Sequence, residues 1–213
     1  MLLHAEDLRG REPYELLTSL VVPRPIGWIS TYGEDGTPNL APYSFFAALS
    51  ARPMLVGASI GHRRDGPKDT LVNVRIRGAF CVNVVDETHL EAMNETSLDA
   101  PPGRDEFVLA GLATERAETV DAPYVASAPA VLECVATREV DIGAEANTLV
   151  VGRVAAVRLH PRLGFVEGTR YVRTEGLRPV GRLWGAAYAL PGEIRVIPRP
   201  RPAPADRRPP VGD

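Results

Sequence analysis

Residues 23–46 read PRPIGWISTYGEDGTPNLAPYSFF. The run Ile26-Gly27-Trp28-Ile29-Ser30 leads into Tyr32-Gly33-Glu34-Asp35-Gly36-Thr37, whose glycines and acidic residues suit a tight hairpin turn. The chain then returns from Pro38 to Phe46. Pro42, inside the returning run, removes an amide from any hydrogen-bonded ladder and marks an edge or a bulge. Outward from this hairpin, residues 54–60, 79–85, 131–140 and 148–159 are further β-branched runs with Gly, Pro and Asp between them. Amphipathic helices are few, with candidates at 87–97 and 14–20. Short strands without long alternating helices predict a mainly β protein, an antiparallel barrel or sandwich rather than a doubly wound sheet.

Residues 69–77 (DTLVNVRIR) read two ways. Val72, Val74 and Ile76 alternate with polar residues as in a strand, yet Asp69 or Thr70 suits a helix N-cap and Gly78 a helix stop. Periodicity alone does not decide.

The chain has 213 residues, 45% of them hydrophobic and 24% charged, with a net charge of −3. That bounds it to one soluble domain, residues 1–190, followed by a Pro/Arg-rich tail over 191–213, expected to be disordered or extended. No global basic field suggests nucleic acid, and no apolar stretch is long enough for a membrane span. Cys81 and Cys134 lie in apolar runs without metal-ligand spacing, and the start of the chain lacks a secretory pattern. The expectation is a cytoplasmic protein with two reduced, buried thiols and no metal. One oddity stands out: of 24 basic residues 23 are arginine, and the single lysine is Lys68.

No phosphate-binding glycine fingerprint, nucleophile elbow or zinc motif occurs, the four histidines are dispersed, and no catalytic residue is assigned. Asp105-Glu106 reads as a solvated or ion-paired loop. Phe45, Phe46, Phe80 and Phe165 read as core, and Arg24, held between two prolines, as reaching either a ligand or an ion pair. The region 59–70 is richer. Ser59, Gly61, Arg63 and Arg64 offer a hydroxyl, open backbone and guanidiniums, and Lys68-Asp69-Thr70 adds an ammonium and a hydroxyl at a possible helix start. Such groups suit a phosphate dianion, and a solvated basic loop is the other reading.

The ordered set PRPIGWIST, NLAPYSFF, KDTLVN, GAFCVNVV, DEF, AGL, APAVLECV, VVGRV and RPVGRLWGAAY, spread over residues 21–188, resembles the flavin reductase-like proteins of the FMN-binding split-barrel superfamily. The resemblance implies a Greek-key split β-barrel, a homodimer with FMN near the subunit interface, and a helix over 69–77. It implies that Asn39, Ala41, Pro42 and Ser44 line the isoalloxazine and that Trp28 and Ser30 lie beside it. It further implies that Ser59, Arg63, Lys68 and Thr70 surround the phosphate, with Gly61 and Asp69 of the same loop counted among the cofactor-binding candidates, and that Arg182, Trp184 and Tyr188 approach the flavin from either subunit. Asn147 departs from the histidine common at its place, and Trp184 from glycine. The implied activity is hydride transfer from NADH or NADPH to FMN, with electrons passed to oxygen, a monooxygenase or another acceptor. The alternatives are a flavoredoxin-like electron carrier and a non-enzymatic FMN-binding protein.

Overall fold

A computed structural model describes residues 1–63, 66–98, 101, 103–143 and 147–200. After helix α1 (Glu12–Leu20), strands β1 (Arg24–Pro25), β2 (Gly27–Tyr32), β3 (Pro38–Tyr43), β4 (Phe46–Ala51) and β5 (Met54–Ile60) follow one another with short turns. Helix α2 (Asp69–Arg77) leads to β6 (Ala79–Asn83), and short helices α3 (Leu90–Glu95) and α4 (Glu106–Leu109) precede the hairpin of β7 (Thr114–Arg116) and β8 (Pro123–Val125). Two long strands, β9 (Ala130–Ile142) and β10 (Asn147–Leu159), precede α5 (Thr174–Leu177) and the small strands β11 (Gly181–Arg182) and β12 (Tyr188–Ala189). Residues 191–200 of the expected tail have no regular secondary structure, and 201–213 lie outside the described residues.

The expected hairpin forms as read. Gly33 N–H donates to Thr37 O at 2.8 Å, Asp35 Oδ1 accepts from Thr37 N–H, and Gly36 takes φ of 87°. The return run is not one strand: it breaks at Ser44–Phe45 into β3 and β4. Residues 69–77 are helical. Gly78 closes the helix at φ 64° and donates to Val74 O. Only Leu71 and Val74 of its apolar residues are buried, while Val72 and Ile76 face outward, so the apparent strand alternation had no buried face behind it.

The main sheet is antiparallel, in the order β3-β2-β6-β9-β10-β5-β4. Laid flat, β3 and β5 would stand about 24 Å apart across five strand spacings. Yet Tyr43 of β3 and Val56, Ala58 and Ile60 of β5 share one core with Ile29, Phe80, Val82, Cys134 and Val150. The sheet therefore curls into a barrel, with Leu71 and Val74 of α2 plugging it. At the seam, Phe46 packs on Gly27, where a Cβ would lie 2.7 Å from the ring. The alternate residues Trp28, Leu40, Cys81 and Val131 face the other way, into a second core closed by Met93, Phe107 and Tyr124. Both cysteines are free and buried, one in each core. No helix among the described residues is long and apolar enough to cross a membrane.

Gly152 on β10 faces Phe80, and a Cβ there would come within 2.8 Å of Phe80 Cε1, a fully buried ring. Gly152→Ala is expected to lower unfolding free energy by about 1–3 kcal/mol through overpacking, read from denaturant midpoints.

Candidate functional site

One end of the barrel holds a cavity of about 480 Å³ walled by three segments. Asn39, Ala41, Pro42 and Tyr43 come from the edge strand β3, His62 and Arg63 from the turn after β5, and Lys68, Asp69 and Thr70 from the start of α2. Thr96, Ser97, Leu98 and Glu106 close the remaining side. The seam of the barrel brings these segments together.

A chain of hydrogen bonds sets the inner wall. Tyr43 donates to Thr70 Oγ1 at 2.9 Å, and Thr70 donates to Asn39 Oδ1 at 2.9 Å. Asn39 Nδ2 then donates to Glu106 Oε2 at 2.9 Å, and the same oxygen accepts Leu40 N–H at 3.0 Å. Thr31 supports Asn39 Oδ1 from behind and accepts from Asn73 Nδ2. Burial raises the Tyr43 phenol well above its ordinary value, so it stays a donor. On the opposite side, Asp69 Oδ1 pairs with Arg63 at 3.3 Å. Lys68 Nζ stands 5.9 Å from the Tyr43 ring centre. Lys68, the N-cap residue of α2, makes no side-chain capping hydrogen bond. His62 Nε2 lies 3.3 Å from Thr148 Oγ1, whose own proton goes to Asp141 Oδ1, so His62 presents Nε2–H as the donor.

The structure gathers Asn39, Ala41, Pro42, Arg63, Lys68, Asp69 and Thr70 around one cavity. Gly61 sits beside it, its missing Cβ leaving room for Asn147 Oδ1. Ser59, two residues earlier, holds its Oγ buried with no hydrogen-bond partner. Thr70 needs correction as a phosphate-facing hydroxyl: it is 1% exposed and its oxygen is committed to Tyr43 and Asn39. Trp28 and Ser30 do not reach the cavity. Both are fully buried in the second core, Trp28 donating to Thr96 Oγ1 at 2.9 Å and Ser30 to Pro123 O at 2.6 Å. A two-residue period separates two faces, and these residues occupy the outer one. Ser44 lies in an outer groove with Phe45. Phe45 and Phe165 are exposed, not core.

Arg182 and Tyr188 bond each other, and Tyr188 donates to Asn94, in the small sheet β1-β11-β12. Trp184, at the tip of that hairpin, lines a separate cleft of about 800 Å³ with Tyr14 and Leu16. Within one chain these three stay apart from the Lys68 cavity. Among the described residues Arg24 makes no ion pair. It caps α1 through Thr18 O at 2.5 Å and Val21 O at 3.1 Å and holds Leu183 O at 2.7 Å. Arg64 lies outside the described residues.

Glu106 escaped sequence reading because Asp105 beside it resembles a solvated loop acid. Asp105 is the helix cap, accepting from Phe107 and Val108 N–H, and this turns Glu106 inward to 4% exposure. Asp86, His89 and Ser127 also line up, at 2.6 and 2.9 Å, in the spacing of a hydrolytic triad. Asp86 Oδ1, however, already accepts Thr88 and His89 N–H as a cap, its Oδ2 holds Arg162, and Ser127 does not border the cavity. That chain anchors α3. Among the described residues no His, Cys, Asp or Glu cluster could hold a metal ion.

Burial raises the Glu106 carboxyl above its ordinary value despite the opposing bonds from Leu40 and Asn39. The folded state therefore binds that proton more tightly than the unfolded chain. Its contribution to stability is present at acid pH and lost as pH rises through the folded value. Glu106→Gln keeps an oxygen acceptor without the charge. It is expected to raise the thermal midpoint at about pH 7 and to give no gain at about pH 3, read by calorimetry at both.

Residues 19–172 match the flavin reductase like domain. An uncharacterised protein of Halalkalibacterium halodurans is 39% identical over 205 residues, covering 94% of this chain and 97% of its own. Among solved structures, nitrilotriacetate monooxygenase component B from Bacillus cereus is 32% identical with a TM-score of 0.87, covering 92% of this chain and 98% of its own. The 2-nitrobenzoate 2-nitroreductase of Pseudomonas fluorescens is 29% identical with a TM-score of 0.86, covering 97% and 100%. The curled antiparallel sheet is a split barrel, and this chain belongs to the flavin reductase like family.

Proposed function

We propose that the protein binds FMN in the Lys68 cavity and works as an NADH- or NADPH-dependent oxidoreductase that passes reducing equivalents to an acceptor. The observation that carries this is the anion-binding character of the cavity in a flavin reductase like chain. Asp69 is paired with Arg63, and the Lys68 ammonium and the start of the nine-residue helix α2, which Lys68 does not cap, border the same space. These residues fit a phosphate.

When bound, FMN supplies hydride acceptance and onward electron transfer. The protein's share is binding and orientation. Lys68 and the first amides of α2 hold the phosphate, and the backbone around Ala41 and Pro42 lines the ring's polar edge. No protein acid or base is required, which accords with a wall whose hydroxyls are already paired with one another. Two similar proteins point to acceptors of different kinds: one is a component of a monooxygenase, the other a reductase of a nitroaromatic acid. A partner monooxygenase or a small organic molecule are the acceptors to try here.

A homodimer belongs to the same proposal. Leu17 of α1 is 53% exposed, and Phe45 and Leu49 stand beside it along an outer apolar groove of about 330 Å³. Phe45→Glu is expected to shift the protein to monomer in light scattering. A wild-type monomer would remove the dimer from the proposal.

Flavin binding is tested by the absorbance spectrum of the purified protein before and after denaturation, with titration of FMN and riboflavin into apoprotein. Lys68→Ala is expected to weaken FMN about tenfold or more through loss of a charge-assisted contact, and to leave riboflavin unchanged. Absence of flavin binding, or of NADH or NADPH oxidation with FMN present, would overturn the assignment.

A further inference from the structure

The cleft of about 800 Å³ beside the β11–β12 hairpin combines apolar and acidic groups. Trp184 is 56% and Tyr14 54% exposed, and Leu3 and Leu16 line the cleft with them. Asp7, Glu12 and Glu15 add three carboxylates, against the guanidinium of Arg11, which pairs with Glu15 at 3.8 Å. Aromatic rings left half open beside an excess of negative charge suit an extended, cationic segment with apolar side chains.

The chain carries such a segment. Residues 191–200 read PGEIRVIPRP. Ile194, Val196 and Ile197 are exposed, and among the described residues none of 191–200 makes a hydrogen bond or ion pair or lines the cleft. Ile197 and Arg199 each precede a proline, which holds their backbone extended and lowers the entropy lost on docking. Arg195 and Arg199 supply the charge that the cleft lacks.

Topology decides which copy of the cleft this arm can fill. Trp184 lies at the turn of the hairpin, where its carbonyl accepts Ala187 N–H. Strand β12 runs antiparallel to β11 and so carries the chain back from that turn, and the arm after Ala189 heads away from its own Trp184. The cleft also adjoins the outer apolar groove. Tyr14 in the one and Leu17 in the other are three residues apart on α1, neighbours on one helix surface.

We propose that the arm of residues 194–200 docks in the Trp184–Tyr14 cleft of a second copy of this chain, Arg195 and Arg199 meeting the carboxylates of Asp7, Glu12 and Glu15. This rests on the homodimer reading above and names the contact that ties the two copies to each other. The exchange is reciprocal, each copy giving an arm and receiving one.

The test uses full-length chains and two readings: molar mass by light scattering against concentration, and acrylamide quenching of Trp184, the other tryptophan, Trp28, being fully buried. One variant carries Arg195→Glu with Arg199→Glu, the other Asp7→Lys with Glu15→Lys, each shown folded by circular dichroism. Each alone is expected to dimerise about tenfold more weakly than wild type, because arm and cleft then bear like charge, and to leave Trp184 more open to the quencher. An equimolar mixture restores both readings, since each arm then meets a cleft of opposite sign on the other chain. Variants that dimerise and shield Trp184 as wild type does would overturn the inference and leave the homodimer standing, as would a mixture that restores neither reading. Recovery of Trp184 shielding at monomer mass, in one chain carrying all four substitutions, would overturn it in favour of docking within a chain. A wild-type monomer would overturn the homodimer and this inference together.

Discussion

The closure of the seven-stranded sheet is the constraint on which the rest depends. It is made possible by the absence of a side chain: Gly27 lets the Phe46 ring of β4 lie against β2. Once the seam is closed, the end of β5 and the start of α2 stand opposite the free edge of β3. The cavity is then a product of topology, since its walls are far apart in sequence and none could form it alone. The Tyr43–Thr70–Asn39 chain crosses this gap and replaces, with side-chain bonds, the ladder that the edge strand lacks.

The sequence was informative about elements and less so about orientation. Residues 54–60 match β5, and β9 and β10 extend one to two residues past the runs read for them, because β-branched residues and punctuating glycines report directly on strand geometry. Pro42 correctly marked an edge strand, since a missing amide cannot serve an interior one. Alternation, in contrast, separates two faces without saying which of them meets a ligand. Trp28 and Ser30 are therefore as conspicuous as Asn39 in the sequence, yet only Asn39 borders the cavity. Both faces of β2 are buried, so no polar signal distinguishes them.

Polar residues were hardest to place, because a hydroxyl or carboxylate looks alike whether it serves a ligand or a neighbour. Thr70 at a helix start suggested a phosphate contact, and its hydroxyl is instead consumed by the wall. Glu106 shared an unpromising loop with Asp105, and only the capping geometry of the fold turns one outward and the other in. Lys68 is the opposite case. In a chain that otherwise uses arginine, its compact ammonium borders the cavity above the Tyr43 ring, where a point charge leaves more space than a planar guanidinium.

Arg24 ties the two ends of the domain together. One buried guanidinium joins the carbonyl end of α1 to the β11–β12 hairpin, elements separated by most of the sequence, using neutral oxygens alone. Losing the hairpin would strand a charge beneath α1, and losing α1 would strand it beneath the hairpin. The first and last elements of the barrel domain thus belong to one cooperative unit, which opens or closes together. Amide exchange in α1 is consequently governed as much by residues near 183 as by the helix's own sequence.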